Sequence, residues 1–260
     1  MRYVLEHIDE AERLEFQATI PQYSIKEETK TLKIKSGAKV LDAGCGSGVL
    51  SRFIHDNYSN IQLDAFDYSE LRVAEAKKRI KGTNKKINFF QDNIEAMSVA
   101  SNTYDVIVSR YVIEHLANPK KAIHEMVRLL KPGGILYIID FDGIFINLYS
   151  ENKRFNDLLE KIKAGFVSDL HIGRKLPAYF DEAGLVNIDY DVSAIQFKGQ
   201  DVDLEYANNR QRCNNCHQEF SRILGSNDLA TEFNTLYLEE SLRPGSSLFY
   251  NKFLVSGIKK

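Results

Sequence analysis

The sequence predicts an α/β protein built on an open, mostly parallel sheet with helices on both faces. Between Lys39 and Asp140, five short apolar runs alternate with helical patterns within about 100 residues. The runs are nearly continuous in apolar residues, as strands covered on both sides require. They also stop at polar residues, Asp42, Asp67, Asp92, Ser109 and Asp140. Those are carboxyl ends of strands, where open parallel sheets bind their ligands.

The elements follow in order. Residues 1–36 read as amphipathic and helical, with Pro21 the one proline. Val40-Leu41 is a strand that runs into the glycine turn Gly44-Cys45-Gly46-Ser47-Gly48, and Val49, Leu50, Phe53 and Ile54 repeat at helical spacing. Ile61 to Phe66 is the second strand, followed by Ser69 as a helix cap before Leu71, Val73, Ala74 and Ala76. Ile87 to Phe90 and Asp105 to Ser109 are the third and fourth strands. Pro119 then opens a helix whose Ile123, Met126, Val127 and Leu130 form one stripe. Pro132-Gly133-Gly134 turns the chain into the fifth strand, Ile135 to Ile139. Beyond Asp140 the rhythm breaks. A helix stopping at Gly165, another from Leu176 to Ala183, a strand from Val186 to Tyr190, a polar helical insertion over 200–243 and a last strand from Leu248 to Ser256 complete the reading. No repeat or low-complexity linker divides the chain, so 1–260 reads as one domain.

Composition narrows the function. A chain of 260 residues, 43% hydrophobic with 15 Gly and 5 Pro, can bury an ample core. Lys+Arg 34 against Asp+Glu 36 leaves a charge of −2, with no general attraction to nucleic acid or anionic lipid. The basic cluster from Lys77 to Lys86 reads as a solvated helix terminus. No apolar run approaches the roughly 20 residues needed to cross a bilayer. MRYVLEHIDE lacks the basic head and apolar stretch of a secretory leader. The expectation is a cytoplasmic protein without membrane association. Cys45, Cys213 and Cys216 make no disulfide framework. Cys213-Asn-Asn-Cys216-His217 has the form of a redox or haem motif, but it follows a polar run and finds no second close pair of ligands. Ordinary free cysteines are expected, and no metal site is assigned.

Gly44, Gly46 and Gly48 let backbone approach a ligand where the first strand turns into a helix. A dinucleotide loop would carry its third glycine at 49, where this chain has Val49, and no Gly-Lys-Ser/Thr follows to hold phosphates. Asp67 can accept both hydroxyls of a ribose. Asp92 can accept from an exocyclic amine, with Asn93 and the Ile94 backbone beside the base. As helix caps, both acids have an ordinary alternative.

The segments VLDAGCGSG at 40–48, LDAFDYS at 63–69, FFQDNIE at 89–95, YDVIVSRYVIEHLANP at 104–119 and LLKPGGILYIID at 129–140 resemble, in that order, the class I S-adenosylmethionine-dependent methyltransferases of small-molecule type. GRKLPAYFDEAGLVNI at 173–188 and LFYNKFLVSGIKK at 248–260 are similar to their later helix and strands. The resemblance implies a Rossmann-like sheet of seven strands, mostly parallel with the last antiparallel, and helical insertions forming a lid. It implies S-adenosyl-L-methionine as donor and S-adenosyl-L-homocysteine as product. Gly44, Cys45 and Gly46 would surround the methionyl part. Asp67 would take the ribose, with Tyr68 and Ser69 next to it; Asp92, Asn93 and Ile94 would border the base. Ser109 and Arg110 would line the floor near the reacting centre. On a leading helix, Arg13 would meet the donor carboxylate and Gln17 would bond nearby, with Tyr3, His7 and Tyr23 possible neighbours. Residues 1–36 would then be an N-terminal lid, 37–140 the donor-binding core, and 141–175 and 200–247 acceptor-site insertions.

The expected reaction is in-line transfer to an oxygen, nitrogen or carbon of a small molecule, with a base needed only if the acceptor must lose a proton. His115, which the family places inside a helix, is the candidate base; packing of its Glu-His-Leu segment is the alternative. Asp140 and His171 are further candidates near the cleft, with Arg174 for an acidic acceptor and Phe141, Phe145 and Tyr149 for a pocket floor. No Asn-Pro-Pro-Tyr-like motif follows the fourth strand, which disfavours protein or RNA acceptors. A non-catalytic donor-binding scaffold is the structural rival, and Val49 disfavours a dehydrogenase. A monomer or homodimer is expected.

Overall fold

In the computed structural model, residues 9–197 and 201–260 are described; Tyr3 and His7 lie outside them. The N-terminal segment is broken rather than continuously helical. Helix α1 (Glu10–Gln17) is followed by a 3-10 turn at Pro21–Tyr23 and one turn of helix, α2 (Ile25–Glu28), capped by the Ser24 side chain. Pro21 causes the break, because it lacks an N–H and biases Ile20 to the extended conformation it adopts.

The alternating core follows: β1 (Lys39–Ala43), α3 (Val49–Asn57), β2 (Gln62–Asp67), α4 (Glu70–Ile80), β3 (Ile87–Gln91), β4 (Tyr104–Arg110), α5 (Pro119–Leu129) and β5 (Leu130–Asp142). Ser69 caps α4 by accepting from Arg72 N at 3.3 Å, and Pro119 begins α5. After β5 come α6 (Lys153–Gly165), α7 (Leu176–Glu182), β6 (Leu185–Gln196), α8 (Asp201–Leu224), α9 (Asn227–Leu242) and β7 (Phe249–Lys259).

The seven strands form one sheet in the order β3-β2-β1-β4-β5-β7-β6. The pairs among β1 to β5 are parallel, while β7 runs antiparallel to both β5 and β6. Alternation along each strand sorts side chains between the faces. Leu41, Ile107, Leu136 and Ile138 pack with Ile123 and Met126 of α5 and Phe180 of α7. Val40, Val106, Val108 and Tyr137 pack with Leu50 and Ile54 of α3.

Two strands differ from their sequence pattern. β5 begins at Leu130, absorbing Pro132-Gly133-Gly134 through a register irregularity opposite Tyr104 and Val106; Gly133, at φ +79°, accommodates it. β6 continues to Gln196 because β7 pairs with it as far as Gln196↔Phe249. Residues 189–194 are exposed, so little apolar patterning marks them.

The insertions have a core of their own. Phe155, Leu158 and Ile162 of α6, Cys213, Cys216 and Phe220 of α8, and Phe233 and Tyr237 of α9 cluster with Ile20, Tyr23, Phe141 and Phe145. No helix among the described residues is long and apolar enough to cross a membrane.

Candidate active site

The strand order reverses between β1 and β4, and the loops after their carboxyl ends open a crevice there. The loop after β1 is built on positive φ. Gly44 sits at φ +84°, and a Cβ there would come within 2.5 Å of Val112 Cγ2. Gly48, at φ +79°, starts α3. The loop is tied to β2 by its own amides, with Gly44 N and Cys45 N both donating to Phe66 O at 2.9 and 2.8 Å.

Asp67 organises the next turn. Its carboxylate accepts from Gly46 N and Ser69 N, each at 2.9 Å. Behind it, Asp42 is buried and accepts from the Ser51 hydroxyl at 2.5 Å. Burial raises the Asp42 carboxyl to about 7, the Ser51 bond opposing and the Asp67 charge adding to the rise. One cavity runs along these groups. Gly44, Cys45, Gly46, Asp67, Tyr68 and Ser69 line it, with Ile94, Leu116 and Arg110 opposite.

A second cavity lies under the insertions. Tyr111, Phe141, Phe145, Phe166 and Phe220 give it an aromatic wall, and Arg13, Gln17, Glu114, Ser168, Arg212 and Cys216 are its polar lining. Leu14, Tyr111 and His115 line both cavities. His115 closes a 3-10 turn, Ile113–His115, rather than sitting within a longer helix. Its Nδ1 is 3.2 Å from Ser168 Oγ and its Nε2 is 3.5 Å from Glu114. Burial lowers the imidazole to about 4, so it is neutral at physiological pH. Burial pushes the Glu114 carboxyl up.

Several sequence candidates are engaged elsewhere. The Asp140 carboxylate lines neither cavity; it accepts from the amides of Ile113, Glu114 and Phe141 and thereby holds the turn that carries His115. His171 and Arg174 both approach Asp142, at 3.5 Å and in a bidentate pair at 2.7 and 2.5 Å, outside both cavities. Asp92 closes its own loop through Asn93 N, Ser98 N and the Ser98 hydroxyl, while Asn93 accepts from Glu95 N. Ser109 donates to Ala43 O at 2.9 Å and ties β4 to β1. Arg13 forms a bidentate pair with buried Glu10 and donates to Asn208 at 3.0 Å. Tyr149 is 66% exposed, unlike Phe141 and Phe145. Sequence reasoning missed Tyr111, Arg212 and Phe220. The last two lie on α8, remote in sequence from the crevice, and only the bonds around Arg212 signal their place: Arg212 bonds Asn209 and lies 3.6 Å from Glu205. Cys213 and Cys216 are buried and free, and no cluster among the described residues could hold a metal.

A sheet of this order, with a glycine loop after β1 and an acid ending β2, has the Rossmann-like architecture of class I methyltransferases. A family model for the methyltransferase domain matches residues 34–184, and the chain belongs to that family. Curated relatives include a ubiquinone/menaquinone biosynthesis C-methyltransferase, UbiE, of Pasteurella multocida, 32% identical over 52% of this chain and 53% of its own. Malonyl-[acyl-carrier protein] O-methyltransferase of Enterobacter lignolyticus is 35% identical over 38% of this chain and 37% of its own. The chain thus spans about half or less of these relatives' length. Among solved structures, the [4+2]-cyclase SpnF superposes with a TM-score of 0.61 at 16% identity, over 91% of this chain and 80% of that one; it shares the fold.

Proposed function

We propose that the protein transfers a methyl group from S-adenosylmethionine to an oxygen, nitrogen or carbon atom of a small molecule. The observation that carries this reading is the pair of cavities meeting at Leu14, Tyr111 and His115. One has the features of a donor site and the other carries a wall of five aromatic side chains.

The residues fit the donor. Gly44 and Gly46 leave a cradle with no side chains, Asp67 presents carboxylate oxygens at the end of β2, and Phe66, Ile94 and Leu116 supply apolar walls for a base. The bound donor supplies a methyl group on a sulfonium, which already carries its leaving group. What the protein must add is alignment and exclusion of water. The wall of Phe141, Phe145, Phe166 and Phe220 excludes water from the acceptor side. Neutral His115, at the junction, offers its imidazole for hydrogen bonding to an acceptor, while the burial that keeps it neutral makes it a weak base. Asp140 holds its turn in place. Helices α8 and α9, with the 143–170 segment, act as the cover of the acceptor site.

The two curated relatives are named for methylation at carbon and at oxygen, so they support the donor more strongly than any one acceptor atom. A formal charge of −2 supports a small acceptor over RNA. A cytoplasmic monomer or homodimer completes the reading, and gel filtration measures the oligomeric part. The central test is calorimetric titration with S-adenosylmethionine and S-adenosylhomocysteine, in the native chain and in Asp67→Ala. Micromolar binding that the variant loses is expected, followed by methyl transfer in a screen of small acceptors. Absence of binding by either ligand overturns the reading, while binding of both with no transfer to any acceptor favours the donor-binding scaffold.

A further inference from the structure

Tyr111 stands where the two cavities meet, in a backbone conformation that bulky side chains rarely adopt. Its φ is +60°, and a residue in the left-handed region persists only where its surroundings over-determine it. Here they do. The Arg110 guanidinium lies 4.0 Å from the ring centroid and Phe141 stacks on the ring at 4.1 Å. With both faces covered, the ring meets the cavities by its edge. Its N–H donates to Ile139 O at 2.8 Å, and its hydroxyl donates to Glu28.

Glu28 is 4% exposed and comes from α2, outside the sheet. Besides Tyr111, its carboxylate accepts from Arg110 Nε at 2.5 Å and from the Lys252 ammonium. Burial alone would raise this carboxyl, but Arg110 and Lys252 hold it below the ordinary range. Arg110 also donates to Tyr23 O at 3.1 Å, and Lys252 to Gln22 O at 2.8 Å. Arg110 of β4, Tyr111 just past it and Lys252 of β7 therefore close on one carboxylate supplied by the N-terminal segment. A neutral side chain there would leave two buried cations uncompensated.

We infer that Glu28 is a positioning residue for the transfer: through Tyr111 it fixes the edge that divides donor from acceptor against the reacting centre. The inference rests on the methyltransferase reading. Its physical basis is that a displacement of about 1 Å among aligned groups can cost about a hundredfold in rate.

The test needs no acceptor. S-adenosylmethionine and S-adenosylhomocysteine differ by the methyl group and the sulfur charge, so a residue held against the reacting centre discriminates between them. A purely structural residue does not. Titration of both ligands into the native chain, Tyr111→Phe and Glu28→Gln, with thermal melts alongside, gives the ratio of affinities. That ratio is expected to move by about fivefold or more in both variants, whereas Asp67→Ala weakens both ligands by similar factors. Equal shifts for the two ligands, or none in Tyr111→Phe, overturn the inference. If Glu28→Gln fails to fold, Tyr111→Phe decides, since it keeps the Glu28 pairs with Arg110 and Lys252. A native chain that binds neither ligand defeats the methyltransferase reading itself; one that binds both with an unmoved ratio defeats only the role of Glu28.

Discussion

The backbone N–H of Gly46 donates to the Asp67 carboxylate at 2.9 Å, so the turn after the first strand is fastened to the end of the second. Asp67→Asn keeps the shape and removes the charge. Hydrogen bonds to charged groups contribute roughly 1.5–3 kcal/mol net. The variant is therefore expected to melt lower even without ligand and to bind S-adenosylhomocysteine more weakly. Scanning calorimetry with and without ligand checks both; an unchanged ligand-free melt would show that the Asp67 charge adds nothing to the Gly46 bond.

Gly44→Ala meets two obstacles at once, a φ of +84° and a Cβ 2.5 Å from Val112 Cγ2. Overpacking and left-handed strain together are expected to cost about 2–4 kcal/mol. Adding Val112→Ala should relieve the overlap and leave the conformational part, about 1 kcal/mol. Urea denaturation of both variants separates the contributions.

Stability should depend on pH through Asp42. Its folded carboxyl titrates at about 7, raised by burial, against about 4 when unfolded. Between those values the folded state binds more protons than the unfolded one, so this group's contribution is present below about 4 and is lost as the pH rises through 7. Asp42→Asn, which cannot titrate, is expected to flatten the decline in melting temperature across that window. Melts from pH 5 to 8 on both proteins read the difference.

Phe233 of α9 is fully buried, 5.2 Å from Phe220 and 6.1 Å from Phe155 between ring centroids. Phe233→Ala should cost about 3–5 kcal/mol. Because the cluster it anchors also contains Phe141 and Phe145, hydrogen exchange should rise first in α6, α8 and α9. Uniform loss of protection across β1 and β2 as well would contradict a separate insertion core.

The parallel core was legible because each strand announces itself twice, by an apolar run and by a polar residue where it stops. Asp67 and the loop after β1 line one cavity. Asp92, Ser109 and Asp140 share that position, yet their side chains close loops and tie strands together. Placement at a strand end is periodic information, whereas the direction of a carboxylate depends on nearby amides that no spacing encodes. Arg212 and Phe220 were invisible for a different reason. They reach the second cavity only through the packing of α8 against α1 and the 141–170 segment, contacts between residues far apart in sequence. Arg13 was noticed, but its buried partner Glu10 lies one helical turn earlier and outcompetes solvent for it.

The arrangement of the last two strands bears on how the chain assembles. Among the described residues β6 pairs with β7 alone, and β7 also pairs with β5. Synthesis proceeds from the N-terminus, so β6 leaves the ribosome before the strand that must separate it from β5. It has to wait, unpaired, while α8 and α9 are made. The nascent protein can complete the glycine loop after β1 early, but the far edge of the sheet closes only after β7 slides between two strands that are already present.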